Sequence, residues 1–126
     1  VLKHGKMQTL IIDSSIEITE RLKQLIMESG AGKTIYTALN YGQAFDIVNN
    51  LKPQAIVLDM NLPCNESYRI LNDVAKANPD ILVIVLSIHI DTYIKNKCLA
   101  LGADYFFDKY NEFDQLPAIL KIRSAG

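Results

Sequence analysis

A doubly wound α/β domain is the fold class this sequence predicts, and three observations point to it. Short apolar runs alternate with helix-spaced stretches five times along the 126 residues. The third and fourth runs, within Gln54–Asp59 and Ile81–Leu86, are almost unbroken in apolar residues, as expected of strands covered by helices on both faces. Chemistry also collects at the ends of the runs: Asp13, Asp59 and Ser87 close three of them, and Lys109 follows the short run Tyr105-Phe106-Phe107. Strand–helix repeats joined by right-handed crossovers make a parallel sheet. Ligands of such sheets gather outside the carboxyl ends of the strands.

In chain order, the pattern predicts strands near Gln8–Asp13, Lys33–Thr37, Gln54–Asp59, Ile81–Leu86 and Asp104–Phe107. Helices are predicted near Ser15–Glu28, Gly42–Asn50, Glu66–Ala77, Thr92–Leu101 and Glu112–Lys121. The first helix carries Ile18, Leu22, Leu25 and Ile26 on one face, with Ser14 or Ser15 as its cap. The last places Phe113, Leu116, Ile119 and Leu120 in the same way. Gly30, Gly102 and Asn78-Pro79 mark helix ends. One domain over residues 1–126, with a core over about 8–122, accommodates all ten elements.

Composition narrows the function. Apolar content of 49% and charged content of 21% describe an ordinary globular domain. A net charge of -1 argues against direct nucleic-acid binding, which needs a basic surface to neutralise phosphates. No apolar run is long enough to cross a membrane, and no signal-peptide pattern stands at the N-terminus. Two widely spaced cysteines, Cys64 and Cys98, suit free thiols in a reducing, cytoplasmic setting.

An ionised carboxylate at the end of a buried strand is costly unless something uses it. Two such acids, a hydroxyl and an ammonium at one sheet edge form a site for phosphate and a hard cation. Gly30-Ala31-Gly32-Lys33-Thr34 imitates the tail of a P-loop, but it ends a helix and opens a strand, the reverse of the required order. A flavin phosphate site would need a glycine-rich loop after the first strand, where Asp13-Ser14-Ser15-Ile16 stands instead.

The segments Thr9-Leu10-Ile11-Ile12-Asp13, Ile56-Val57-Leu58-Asp59-Met60-Asn61-Leu62-Pro63 and Gly102-Ala103-Asp104-Tyr105-Phe106-Phe107-Asp108-Lys109 resemble the receiver domain of two-component response regulators, the CheY-like superfamily. The resemblance spans essentially the whole chain. It implies a flavodoxin-like (βα)5 fold, with a five-stranded parallel sheet in the order 2-1-3-4-5 and helices on both faces. It also implies a phosphoacceptor domain of a phosphorelay, rather than a free-standing enzyme. Asp59 matches the phosphoacceptor that becomes an aspartyl phosphate. Asp13 and Asp59, with the backbone carbonyl of Asn61, match the magnesium ligands. Lys109 and Ser87 match the groups that hold the phosphoryl oxygens, and Phe106 the switch aromatic expected to swing inward. The implied partners are a histidine kinase or phosphotransfer protein and a downstream protein, or a second copy, meeting the fourth helix, fifth strand and fifth helix. The ending resembles that of stand-alone receivers.

Three positions depart from the pattern. Ser14 stands where a second acid is usual, which lowers the negative charge available to magnesium and implies weaker affinity. Ile88 replaces a small residue after Ser87 and narrows access to Asp59. Tyr110 follows Lys109 where proline is common, leaving the geometry of that peptide bond open. His89, with Asn61, occupies a position that tunes the lifetime of the aspartyl phosphate in the family. Ser14 and Ile88 also keep a second reading in play, a degenerate pseudo-receiver that binds partners without phosphorylation.

Overall fold

The computed structural model describes residues 7–31 and 34–125. Its strands are β1 (Gln8–Ile12), β2 (Thr34–Ala38), β3 (Ala55–Asp59), β4 (Leu82–Ser87) and β5 (Tyr105–Asp108). They form one parallel sheet in the order β2-β1-β3-β4-β5. The helices are α1 (Ile16–Ser29), α2 (Tyr41–Leu51), α3 (Glu66–Ile70), α4 (Thr92–Ala100) and α5 (Leu116–Ala125).

Alternation along the strands divides the core in two. Leu10, Ile12, Ile56, Leu58, Val83, Val85 and Phe106 point to one face, where α2 contributes Val48, α3 Ile70 and α4 Cys98. Ile11, Val57, Ile84, Leu86 and Phe107 point to the other, against Leu22 and Ile26 of α1 and Leu116 and Leu120 of α5. Burying each large side chain stabilises the fold by roughly 1.5–3 kcal/mol, so a one-residue slip of a central strand would expose a whole face. The register that prevents it pairs Leu10 with Ile56 and Val57 with Ile84. It thereby brings the ends of β1, β3 and β4 level.

Polar caps fix where the helices begin. Of the two candidate serines it is Ser15 that caps α1, its hydroxyl accepting from Ile18 N at 3.2 Å. Asn40 caps α2 by accepting from Gln43 N at 2.9 Å. Asp91 caps α4 by accepting from Tyr93 N at 2.7 Å. Gly30 ends α1 in a left-handed conformation, φ 77°, that suits glycine. The P-loop-like segment therefore closes a helix, as its order implied. Gly32 and Lys33, the latter the expected start of the second strand, lie outside the described residues.

Two helices differ from expectation. The sequence pattern predicts one regular third helix over Glu66–Ala77. It is preceded by a tight turn at Pro63–Asn65 and passes after Ile70 into a wide π-turn over Leu71–Ala75. There Lys76 N donates to Leu71 O at 3.2 Å. The wide turn lays Leu71, Val74 and Ala75 in the core, with Ala75 close to Gly102. The last helix was expected from Glu112 but becomes α-helical only at Leu116, after a 3-10 turn over Phe113–Gln115. Pro117 is the reason: it lacks an N–H and is accommodated in a first turn, not in a helix interior.

Candidate functional site

Asp13 follows β1, Asp59 ends β3, and Lys109 follows β5; the sheet order places all three at one edge. The Lys109 ammonium bridges the two acids, 2.8 Å from Asp13 Oδ2 and 3.2 Å from Asp59 Oδ1. All three side chains are largely buried, and removing Lys109 would leave two carboxylates without their counter-charge, a loss that typically costs about 3–5 kcal/mol. Lys109 is carried there by its own backbone, Lys109 N donating to Ser87 O at 2.9 Å. The Lys109–Tyr110 peptide bond is trans.

The two acids have different surroundings. Asp13 Oδ1 accepts from Ser15 N at 2.9 Å, tying it to the start of α1. Asp13 Oδ2 pairs with the Lys109 ammonium at 2.8 Å. Asp59 Oδ1 accepts from Asn61 N at 3.1 Å. Burial pushes the Asp59 carboxyl above its usual range, with the Asp13 charge adding to it; the Asn61 amide and Lys109 oppose the rise. Burial would lower the Lys109 pKa, but Asp13 and Asp59 together outweigh it and hold the ammonium above its ordinary value.

This donor set fits a hard cation. Two buried carboxylates converge on a single ammonium, so the cluster carries excess negative charge and hard oxygen donors. Among the described residues no group of three or more His, Cys, Asp and Glu could hold a metal, so further ligands must be backbone oxygen or water.

The other expected residues are placed less uniformly. Ser87 is buried at the end of β4, but its hydroxyl is engaged locally: it donates to His89 O at 2.9 Å and accepts from His89 N at 3.1 Å. Asn61 reaches across to the next loop, its Oδ1 accepting from Ile88 N at 3.4 Å. Ile88 is 41% exposed, and His89 and Ser14 are exposed. Phe106 faces the core in this structure. It is packed at 8% exposure among the core side chains of the α2–α4 face.

One residue at the site escaped the sequence reading. Ser67, in the first turn of α3, is 1% exposed. Its hydroxyl donates to the backbone carbonyl of Asp59 at 2.7 Å and accepts from Leu62 N at 3.2 Å. A serine near a helix start reads as a cap or a solvated group; only the fold brings Asp59 O beside it. An apolar groove of about 280 Å3 also runs from Lys109 and Tyr110 along α1, past Ile18, Leu22 and Leu25.

Comparison with known proteins is in keeping with this geometry. The profile of the response regulator receiver domain matches residues 9–121. The chain is 26% identical over 125 residues to the transcriptional regulatory protein DegU of Brevibacillus brevis, covering 99% of this chain and 53% of that protein. It is 29% identical over 128 residues to a protein-glutamate methylesterase/protein-glutamine glutaminase of Shewanella sp. MR-4, covering 94% of this chain and 36% of that protein. The chain thus spans about half or less of the length of these curated relatives. Among solved structures, the signal receiver domain of a DNA binding response regulator from Colwellia psychrerythraea 34H superposes with a TM-score of 0.88 at 24% identity, covering 96% of this chain and 100% of that one. A CheY-like receiver domain protein from Methanospirillum hungatei JF-1 gives 0.83 at 21% identity, covering 94% of each chain.

Proposed function

This chain belongs to the response regulator receiver domain family, and from that membership we propose that it is a phosphorylation switch whose phosphoacceptor is Asp59. The observation that carries the reading is the Asp13–Lys109–Asp59 bridge at the sheet edge. A partner histidine kinase or phosphotransfer protein supplies phosphohistidine. The Asp59 carboxylate attacks phosphorus as the P–N bond breaks, and the departing imidazole keeps the electron pair of that bond and takes up a proton. Oδ1 is held by Asn61 N and Lys109, which leaves Oδ2 as the attacking oxygen.

Receiver domains in general bind magnesium at this site. Here Asp13, Asp59 and the Asn61 carbonyl would hold it, and when bound it supplies positive charge beside the carboxylates and the phosphoryl oxygens. Affinity is reduced because Ser14 brings no carboxylate. Lys109 has carboxylate partners at rest and turns its ammonium to pair with the phosphoryl oxygens. Ser87 must exchange its bonds to His89 for a phosphoryl oxygen, which couples the β4–α4 loop to the reaction. The groove beside Lys109 offers an apolar seat for the donor protein. The face of α4, β5 and α5 passes the change to a protein partner or a second copy. We place the receiver over residues 1–126, with its core at about 8–122, in the cytoplasm.

Ser14 and the exposed Ile88 favour one second reading, a pseudo-receiver that binds partners unmodified. Intact mass after incubation with acetyl phosphate and magnesium, beside an Asp59→Ala control, separates the two. A single phosphate adduct on the wild type alone is expected; no adduct supports the pseudo-receiver.

A further inference from the structure

We propose that Ser67 is a positioning residue for Asp59: its buried hydroxyl clasps the loop that follows β3 and so sets the direction of the Asp59 carboxylate. The proposal rests on the reading of Asp59 as phosphoacceptor and goes beyond it, to how this chain aims that group.

Ser67 Oγ joins two points of one loop. It donates to Asp59 O at 2.7 Å and accepts from Leu62 N at 3.2 Å, so both backbone groups are satisfied by one side chain. Between those points lies Asn61, whose amide donates to Asp59 Oδ1. The carboxylate is therefore oriented by an amide whose own position depends on the clasp. Met60 N, bonded to Leu86 O at 2.8 Å, anchors the other side of the same turn to β4.

The loop needs such a restraint. Cys64 and Asn65 are consecutive residues with positive φ, 59° and 57°. Left-handed conformations of non-glycine residues are disfavoured and persist only where their surroundings over-determine them. The Asn65 side chain provides no capping bond to α3, so the helix start lends no restraint of that kind. Ser67 lies just beyond this pair and closes the loop back onto Asp59. At 1% exposure its hydroxyl has no access to bulk water, and losing it would leave Asp59 O and Leu62 N without that partner in a buried place.

The test is amide hydrogen exchange and 15N-resolved amide shifts of wild type, Ser67→Ala and Ser67→Thr, which keeps a hydroxyl. In Ser67→Ala the Leu62 amide loses its acceptor directly. The informative amide is Asn61, which Ser67 does not touch: its exchange is expected to speed up roughly three- to tenfold, about what one lost hydrogen bond is worth. Ser67→Thr is expected to restore it. Acceleration confined to Leu62, or a threonine variant as fast as alanine, overturns the proposal. Should Ser67→Ala fail to fold, Ser67→Cys, a near-isostere with a weaker donor, is read in the same way. The rate of phosphate adduct formation from acetyl phosphate is measured on the same proteins, with a matching three- to tenfold fall expected for Ser67→Ala. A wild type without adduct refutes the phosphoacceptor reading, while the Asn61 amide still decides the role of Ser67.

Discussion

Cys98 Sγ lies 3.3 Å from Met60 Sδ, so the one buried side chain of α4 rests on the residue that follows Asp59. Both sulfurs belong to the core of the α2–α4 face. This contact is a direct packing link from the residue after β3 to α4.

Burial also pushes the Cys98 thiol up to about 11, so it is neutral and enclosed at physiological pH. Cys64 is exposed. Thiolate and access together govern alkylation. Iodoacetamide at pH 7.5 should therefore add one group, at Cys64, with the second following only on unfolding. Two adducts on the folded protein, read by intact mass, would show that α4 lifts off Met60 in solution.

Asp59→Asn should stabilise the protein at neutral pH. Burial raises the Asp59 pKa above its ordinary value of 3.8, so folding disfavours the ionised form. That cost is absent below the ordinary value, where the carboxyl is protonated folded or unfolded. It is fully present once the pH exceeds the raised folded value. Asparagine avoids it, and Lys109 keeps Asp13 as a partner. A higher Tm is expected at pH 7, and the gain should shrink as the pH falls towards 3.8. Thermal melts across that range check it; a variant less stable at neutral pH would mean that the Lys109 bridge outweighs burial.

Ile88→Ala should hasten labelling by a small phosphodonor. The isoleucine is exposed, and its amide donates to Oδ1 of Asn61, two residues after Asp59. Relief of about 1 kcal/mol of steric hindrance amounts to about fivefold in rate. Time courses of adduct mass for the two proteins measure it; equal rates would show that the branched side chain does not narrow the path.

The parts of this site that were legible in the sequence are those that strand ends specify. Asp13, Asp59, Ser87 and Lys109 each terminate or follow an apolar run, and a parallel sheet brings such ends together whatever the details of packing. The order of strands came from resemblance, not from periodicity, because alternation says which face a residue takes and nothing about its neighbour. Ser67 was illegible because its acceptor is a backbone carbonyl eight residues away across a turn. The late start of α5 was readable in principle, since Pro117 is poorly tolerated in a helix interior. The burial of Phe106 was not, as an aromatic on an edge strand serves equally well in or out of the core.

The wide turn that ends α3 also bears on how the chain can change in length. Lys76 N reaches back to Leu71 O, so the segment holds one residue more than an α-helix of the same span. An α-helix turns by about 100° per residue. Were the extra residue absorbed by regular winding instead, Val74 and Ala75 would rotate off the sheet and Ala75 would leave Gly102. The π-turn keeps the discrepancy local, which makes residues 71–75 the stretch where α3 could lose a residue while its first turn, with Ser67 and the grip on Asp59, stayed as it is.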